Sequence, residues 1–135
     1  MTLTPFASAR NAYARDAVLS ATPARLLTML YDRLLLDLER AAIAQDAGDH
    51  AIASTQLLHA QDIVAELHAS LRPDLWSGGP GLQALYTYVA MRLVEANVQR
   101  DPARTRECIA LLEPLRQAWH EAAATPSTAP VPHSA

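Results

Sequence analysis

The sequence lacks several features that would place it in common functional classes. It has no lysine, and its eleven basic residues face fourteen acidic ones, which gives a formal net charge of −3. No basic run occurs anywhere, so the chain has no electrostatic footprint for nucleic acid or for an anionic membrane surface. The single cysteine, Cys108, excludes an internal disulfide. We therefore expect neither polyanionic partners nor a disulfide framework.

Long apolar runs are also missing. No stretch approaches the roughly 18 to 20 uncharged apolar residues that a membrane-spanning helix needs. Asn11, Arg15 and Asp16 interrupt the N-terminal region, which therefore has no apolar core of a signal peptide. With 135 residues, half of them apolar, the chain is long enough to bury one core without metal or disulfides. The sequence predicts a single cytoplasmic domain with no membrane insertion.

Glycine is scarce, and most prolines lie near the ends of periodic segments, which divides the chain into long helices. Thr22 and Pro23 suit an N-cap and a first helical position, and Gly48 suits a left-handed residue after a helix. We predict four helices, at about 23–46, 49–71, 80–100 and 102–123. They would form a domain over 23–123, preceded by a loosely attached segment, 1–22, and followed by a disordered tail, 124–135.

Each predicted helix carries one apolar stripe with alternating spacings of four and three residues. In the second helix the stripe consists of Ala53, Leu57, Ala60, Val64, Leu67 and Leu71. Four such helices with short connections can bury their stripes together as an all-α, antiparallel up-down-up-down four-helix bundle, with neighbours crossing at roughly 20°. Pro114 removes a backbone hydrogen bond inside the fourth helix and predicts a kink there.

The first and third helices have apolar residues that a bundle core does not need. Met29, Leu36 and Ile43 lie almost opposite the core stripe of the first helix. The third helix carries Met91, Val94 and Val98 in a similar arrangement. A helix that is apolar on two sides is normally covered on both, by its own chain, a second subunit or a partner. The alternative is apolar residues scattered over the surface, which are common in soluble proteins.

The segment before the first helix holds Phe6, Tyr13, Val18 and Leu19 among small and charged residues. It is weakly apolar and has no clear cap. Two readings stay open: a disordered leader, or a detachable cover that lies on the exposed stripe until something displaces it.

The sequence shows no motif typical of a metal site or a catalytic site. A di-iron bundle would need Glu-x-x-His on two helices, and the sequence has none. His59, Asp62 and Glu66 share one side of the second helix at ligand-like spacing, but that side lies opposite the core stripe and is typical of a solvated face. Cys108 lies on the core stripe and is interpreted as a small core residue. Trp76 is expected to pack over the end of the bundle, with an exposed partner contact as the alternative. We predict no enzyme activity, cofactor or metal.

Several sequence motifs, in order, resemble the flagellar export chaperone FliS family. The resemblance covers about residues 12–120 and rests on Ala12-Tyr13, Leu19 to Pro23, Met29 to Asp32, Ala60 to Leu67, Gly78-Gly79, Leu85 to Val89, Arg92 to Asn97 and Ala118-Trp119. Arg33 departs from the pattern, because the family usually has glycine after the aspartate.

This resemblance implies a binding function without chemistry. The protein would bind the C-terminal segment of flagellin, prevent its premature polymerisation and deliver it to the flagellar type III export gate. It also implies that flagellin wraps around the bundle, while the segment that contains Tyr13 moves aside. A co-chaperone is a further partner to consider.

The sequence therefore predicts a flagellin site made of the leader and the outward apolar positions of the first and third helices. Its residues are Tyr13, Met29, Leu36, Ile43, Met91 and Val98, with Tyr31 and Tyr86 as secondary candidates. The two secondary tyrosines lie on or beside core stripes, where a structural role is favoured. The alternative hypothesis is a structural homodimer without flagellin cargo, in which the exposed stripes of two copies cover one another.

Overall fold

The computed structural model describes residues 22–124, which form four α-helices. They are α1 (Pro23–Asp46), α2 (His50–Ser70), α3 (Gly79–Val98) and α4 (Pro102–Ala124), with a 3-10 turn at Pro73–Leu75 between α2 and α3. No strand occurs in this range. The predicted helix boundaries agree to about two residues. The segment 1–21 and the tail 125–135 lie outside the described residues.

Side-chain caps and left-handed residues set the helix ends. The Thr22 hydroxyl accepts a hydrogen bond from the Arg25 amide at 3.1 Å, and the Asp49 carboxylate accepts one from the Ile52 amide at 3.2 Å. Gly48 has a φ of 74°, as expected of a residue that follows a helix. Arg100 takes the same role after α3 with a φ of 54°. The left-handed turn at Arg100 explains why α3 ends at Val98 rather than at Arg100 as predicted.

The helices form the predicted bundle. α1 packs against α2 and α4, and α3 packs against the same two helices, so α1 and α3 occupy diagonally opposite corners. The core is built from the predicted stripes, and its largest fully buried apolar side chains are Tyr31, Tyr86, Leu34, Leu38, Leu57, Leu93, Leu112, Val64 and Val89. The four-helix fold is therefore confirmed, and α1 and α3 lie diagonally across the core from each other.

Cys108 and Pro114 are two residues of α4 for which the sequence makes specific predictions. Cys108 is fully buried, and this burial raises the pKa of its thiol to about 12. The thiol is therefore protonated at neutral pH and packs as a small core residue. Pro114 lies inside a helix that runs without interruption to Ala124. The kink at Pro114 stays a prediction.

Two glycines at the start of α3 provide a matched pair for a test of the fold. A Cβ at Gly79 would collide with the backbone of Pro73, whereas a Cβ at Gly81 would meet nothing within 4 Å. We expect Gly79→Ala to lower the free energy of unfolding by about 1 to 3 kcal/mol, because the 3-10 turn must shift. Gly81→Ala should raise it by about 0.5 to 1 kcal/mol, because alanine loses less chain entropy in a helix. Urea unfolding followed by circular dichroism measures both, and equal effects would contradict this packing.

Candidate functional site

The outward side of α1 carries exposed apolar side chains that the core leaves uncovered. Leu36 is 38% exposed and Ile43 is 67% exposed, and Met29 is half-buried on the same side. The opposite side of the helix is closed, since Leu34, Leu38 and Ala41 are completely buried. We call Met29, Leu36 and Ile43 the outer α1 face. The bundle does not need this face for its own core.

A second apolar surface lies on the outward side of α3. Met91 is 53% exposed, Val94 is 48% exposed and Val98 is 77% exposed. We call these three residues the outer α3 face. Their neighbours Val89, Leu93 and Ala96 point into the core and are completely buried. Like the outer α1 face, this surface is apolar beyond what the fold uses.

The structure does not bring the two outer faces together. α1 and α3 are diagonal corners of the bundle, and each turns its fully buried residues towards the other, so their outward sides point in opposite directions. The sequence pattern predicts that both sets belong to one flagellin site. Here they are two separate surfaces on opposite sides of the bundle. A partner that uses both must pass around α2 or α4.

The two secondary candidates lie inside the core. Tyr31 and Tyr86 are 0% and 1% exposed, and their hydroxyl oxygens are 2.8 Å apart, which joins α1 to α3 across the bundle. Burial raises the pKa of both hydroxyls. The Tyr31 ring also meets Trp119 edge to face at 6.1 Å between centroids. In this conformation both tyrosines pack the core, which is the role that sequence analysis favoured. Tyr13 lies outside the described residues.

Sequence reasoning missed an apolar groove at one end of the bundle. We call it the end groove; it has a volume of about 360 Å³ and is lined by Leu27, Leu67, Ser70, Leu71, Arg72, Leu75, Trp76, Leu82, Tyr86 and Trp119. Trp76 is 48% exposed, and its ring lies directly over Gly78, where a Cβ would collide with it. Trp76 therefore lines the groove while remaining open to solvent. The groove combines residues from all four helices and the 3-10 turn, which no local pattern reveals.

Arg33, the departure from the family pattern, lies next to the outer α1 face and is paired with a residue of its own helix. Its Nε donates to the Asp37 carboxylate at 2.9 Å, and the same buried carboxylate also bonds to Nδ1 of His59 on α2. His59 is thus engaged in a link between α1 and α2. Within residues 22–124, no cluster of three or more histidine, cysteine, aspartate or glutamate side chains is arranged to hold a metal ion. The polar residues here connect helices.

Among residues 22–124, no helix is both long enough and apolar enough to span a bilayer.

The comparison with protein families decides the identity. The sequence model of the family described as Flagellar protein FliS matches residues 6–126. The chain belongs to the FliS family. It is 32% identical over 112 residues to the flagellar secretion chaperone FliS of Bacillus subtilis (strain 168), an alignment that covers 83% of this chain and 84% of that protein. It is also 32% identical over 127 residues to FliS of Escherichia coli (strain K12), with 90% and 93% covered.

A third relative agrees with this assignment, and a solved structure shares the fold. FliS of Salmonella typhimurium is 34% identical over 123 residues, covering 85% of this chain and 90% of that protein. A crystal structure described as a flagellar chaperone from bacteria has the same fold, with a TM-score of 0.69 at 18% identity over 88% of this chain and 98% of the other. The FliS relatives are named as secretion chaperones, a non-enzymatic role. The comparisons thus place this chain in a family of flagellar secretion chaperones.

A double-mutant cycle tests whether the two buried tyrosines act through each other. We expect Tyr31→Phe or Tyr86→Phe alone to lower the free energy of unfolding by about 1 to 3 kcal/mol, because each leaves a buried hydroxyl without its partner. The double variant should lose less than the sum of the two, because it removes both hydroxyls together. Urea unfolding gives all three values. Tyr88→Phe on the same helix is the control. Its hydroxyl donates to Glu107 in a partly exposed position, so this variant should lower the free energy of unfolding by less than either buried tyrosine variant. Strictly additive losses would contradict the buried link.

Proposed function

We propose that this FliS-family chain is a cytoplasmic chaperone that binds the C-terminal segment of flagellin, prevents its premature polymerisation and delivers it to the flagellar type III export apparatus. The names of its relatives support a secretion chaperone. The observation that carries the proposal is the pair of apolar outer faces on a bundle whose core is closed without them. Such faces are suited to an apolar segment that must be kept from other copies of itself.

The energetics favour tight but reversible binding. Covering apolar surface gains roughly 25 cal/mol per Å², and a fully covered Ile or Leu side chain gains about 1.5 to 3 kcal/mol. Ile43 and Val98 expose the largest fractions among the proposed contacts and therefore have the most to gain. A cargo segment that orders on binding loses conformational entropy, which offsets part of that gain. Release at the export apparatus then requires no unfolding of the bundle itself.

The placement of the two faces favours a cargo that wraps around the bundle. Two packed helices span about 20 Å, given axes roughly 10 Å apart and helices about 10 Å wide. A segment of about forty residues measures about 60 Å as a helix and about 130 Å when extended. One flagellin terminus can therefore contact both outer faces, with its middle part crossing α2 or α4. Contacts on both sides would act as two linked sites and raise the overall affinity.

We also propose that residues 1–22 cover the outer α1 face before cargo binds. The rise of α1 places Met29 about 9 Å from the start of the helix at Pro23. Ten residues separate Tyr13 from Pro23 and can span up to about 33 Å when extended. Tyr13 can therefore fold back to Met29 and Leu36. Flagellin would displace this cover rather than open the core.

Calorimetric titration with the last roughly forty residues of flagellin from the same organism tests the function and both faces. We expect the wild-type chain to bind with a negative heat-capacity change, because apolar surface is buried. Leu36→Asp with Ile43→Asp, and separately Met91→Asp with Val98→Asp, should each weaken binding at least tenfold, which is about 1.4 kcal/mol. Two control pairs add the same charge at exposed positions of the flanking helices: Thr55→Asp with Ala65→Asp on α2, and Ala103→Asp with Ala118→Asp on α4. Because the cargo crosses one of these helices, at least one control pair should leave binding unchanged.

The outcomes separate function from site. If wild type binds and only one pair of substitutions weakens binding, the cargo uses one face and the wrapping proposal is wrong. Absence of binding by wild type, with a soluble cargo segment, would reject the chaperone function. The homodimer hypothesis would then gain support if light scattering showed a mass that doubles with concentration and falls back in the outer-face variants.

A further inference from the structure

The end groove is an interaction surface that the flagellin proposal leaves unassigned. It lies where α1 and α3 begin and where α2 and α4 end, since Leu27, Leu82, Leu71 and Trp119 all line it. The two tryptophans of the chain both contribute to it. Leu75 is 73% exposed at its rim. The groove is therefore open, predominantly apolar and flanked by aromatic rings.

Grooves flanked by aromatic rings bind polyproline II segments, which enter them with little loss of entropy because their conformation is already extended. The chain itself contains the proline-rich sequence Pro130-Val131-Pro132, which begins six positions after Ala124. Proline rings and a valine side chain match the apolar lining, and the groove offers no cluster of charges to oppose them. We propose that the end groove binds the chain's own Pro130-Val131-Pro132 in a polyproline II conformation.

The tether between α4 and this motif is long enough. α4 ends at Ala124, five residues after Trp119, so the helix end lies about 7.5 Å beyond the Trp119 position along the axis. Six residues lead from Ala124 to Pro130 and can span up to about 20 Å. This length allows the chain to turn back and to cross the roughly 10 Å between neighbouring helices. The motif therefore reaches the groove without any change in the bundle.

Because the connection to α4 is short, a weak contact is enough to keep the groove occupied. A connection of this length gives an effective concentration in roughly the millimolar range, so a segment with millimolar affinity would occupy the groove for much of the time. Gly78 contributes to the preformed shape, because the absence of a Cβ lets the Trp76 ring lie over the start of α3. The groove is thus built before its occupant arrives, which lowers the cost of binding.

The indole N–H signals of Trp76 and Trp119 in a nitrogen-correlated NMR spectrum of the full chain test this proposal without any flagellin. We expect Pro130→Ser with Pro132→Ser to shift the Trp76 indole signal. The same double variant should raise the acrylamide quenching of the chain's tryptophan fluorescence about twofold. Pro126→Ser is the matched control, since it changes a proline of the same tail outside the motif, and should leave both readouts unchanged. A synthetic peptide of residues 125–135 should restore the wild-type signal in the double variant.

Other occupants of the groove give different results. Identical spectra for wild type, the double variant and the control would overturn the proposal. A shift that appears instead with Val18→Ser and Leu19→Ser would assign the groove to the leader, and a shift that depends on protein concentration would assign it to a second copy. Either result would also overturn it. Flagellin binding is measured in a separate titration, so the failure of one proposal leaves the other intact.

Discussion

The burial of one apolar stripe from each helix is the constraint on which the rest of the molecule depends. Leu34, Leu57, Leu93 and Leu112, one from each helix, are fully buried and pack in a single apolar cluster. The hydroxyl contact between Tyr31 and Tyr86 then joins the two diagonal helices through this core. The apolar residues of the outer α1 and α3 faces lie outside this core.

The outward apolar residues of α1 and α3 are the surfaces on which the proposed binding function depends. Because the buried residues lie on the other side of each helix, the proposed cargo would bind and leave while the bundle stays folded. Hydrogen bonds between neighbouring helices hold the bundle together without using the outer faces. Asp37 ties α1 to α2, and Glu107 accepts hydrogen bonds from Tyr88 and Arg92 and ties α3 to α4. A rigid bundle with apolar outer faces suits a chaperone that holds a segment without changing its own fold.

Sequence periodicity was sufficient for the helices and for most of the core. The spacing of Ala53, Leu57, Ala60 and Val64 could be produced only by a helix with one buried side, and Thr22, Asp49 and Asp101 act as caps as their chemistry predicts. The end of α3 was less predictable, because the left-handed residue there is an arginine rather than a glycine. The sequence motifs also predicted the FliS family, which the comparison confirms, whereas periodicity alone could not identify a family.

The arrangement of the candidate site could not be read from local patterns. Whether two outward stripes share a surface depends on which helices are neighbours, and α1 and α3 are not. The end groove depends on five separate pieces of chain that meet at one end of the bundle. The link that Asp37 makes between α1 and α2 could not be predicted either, because its partner His59 lies 22 residues away on another helix. Each of these features is a long-range contact.

Methyl NMR of the complex with the flagellin segment tests the central claim most directly. The account predicts intermolecular contacts from cargo to the methyl groups of Leu36, Ile43, Met91 and Val98, while the methyl signals of the core residues Leu34, Val64, Val89 and Leu93 keep their free-state positions. Contacts to those core methyl groups, or large shifts of their signals on binding, would show that cargo enters an opened bundle. That result would contradict a chaperone whose outer faces do the binding.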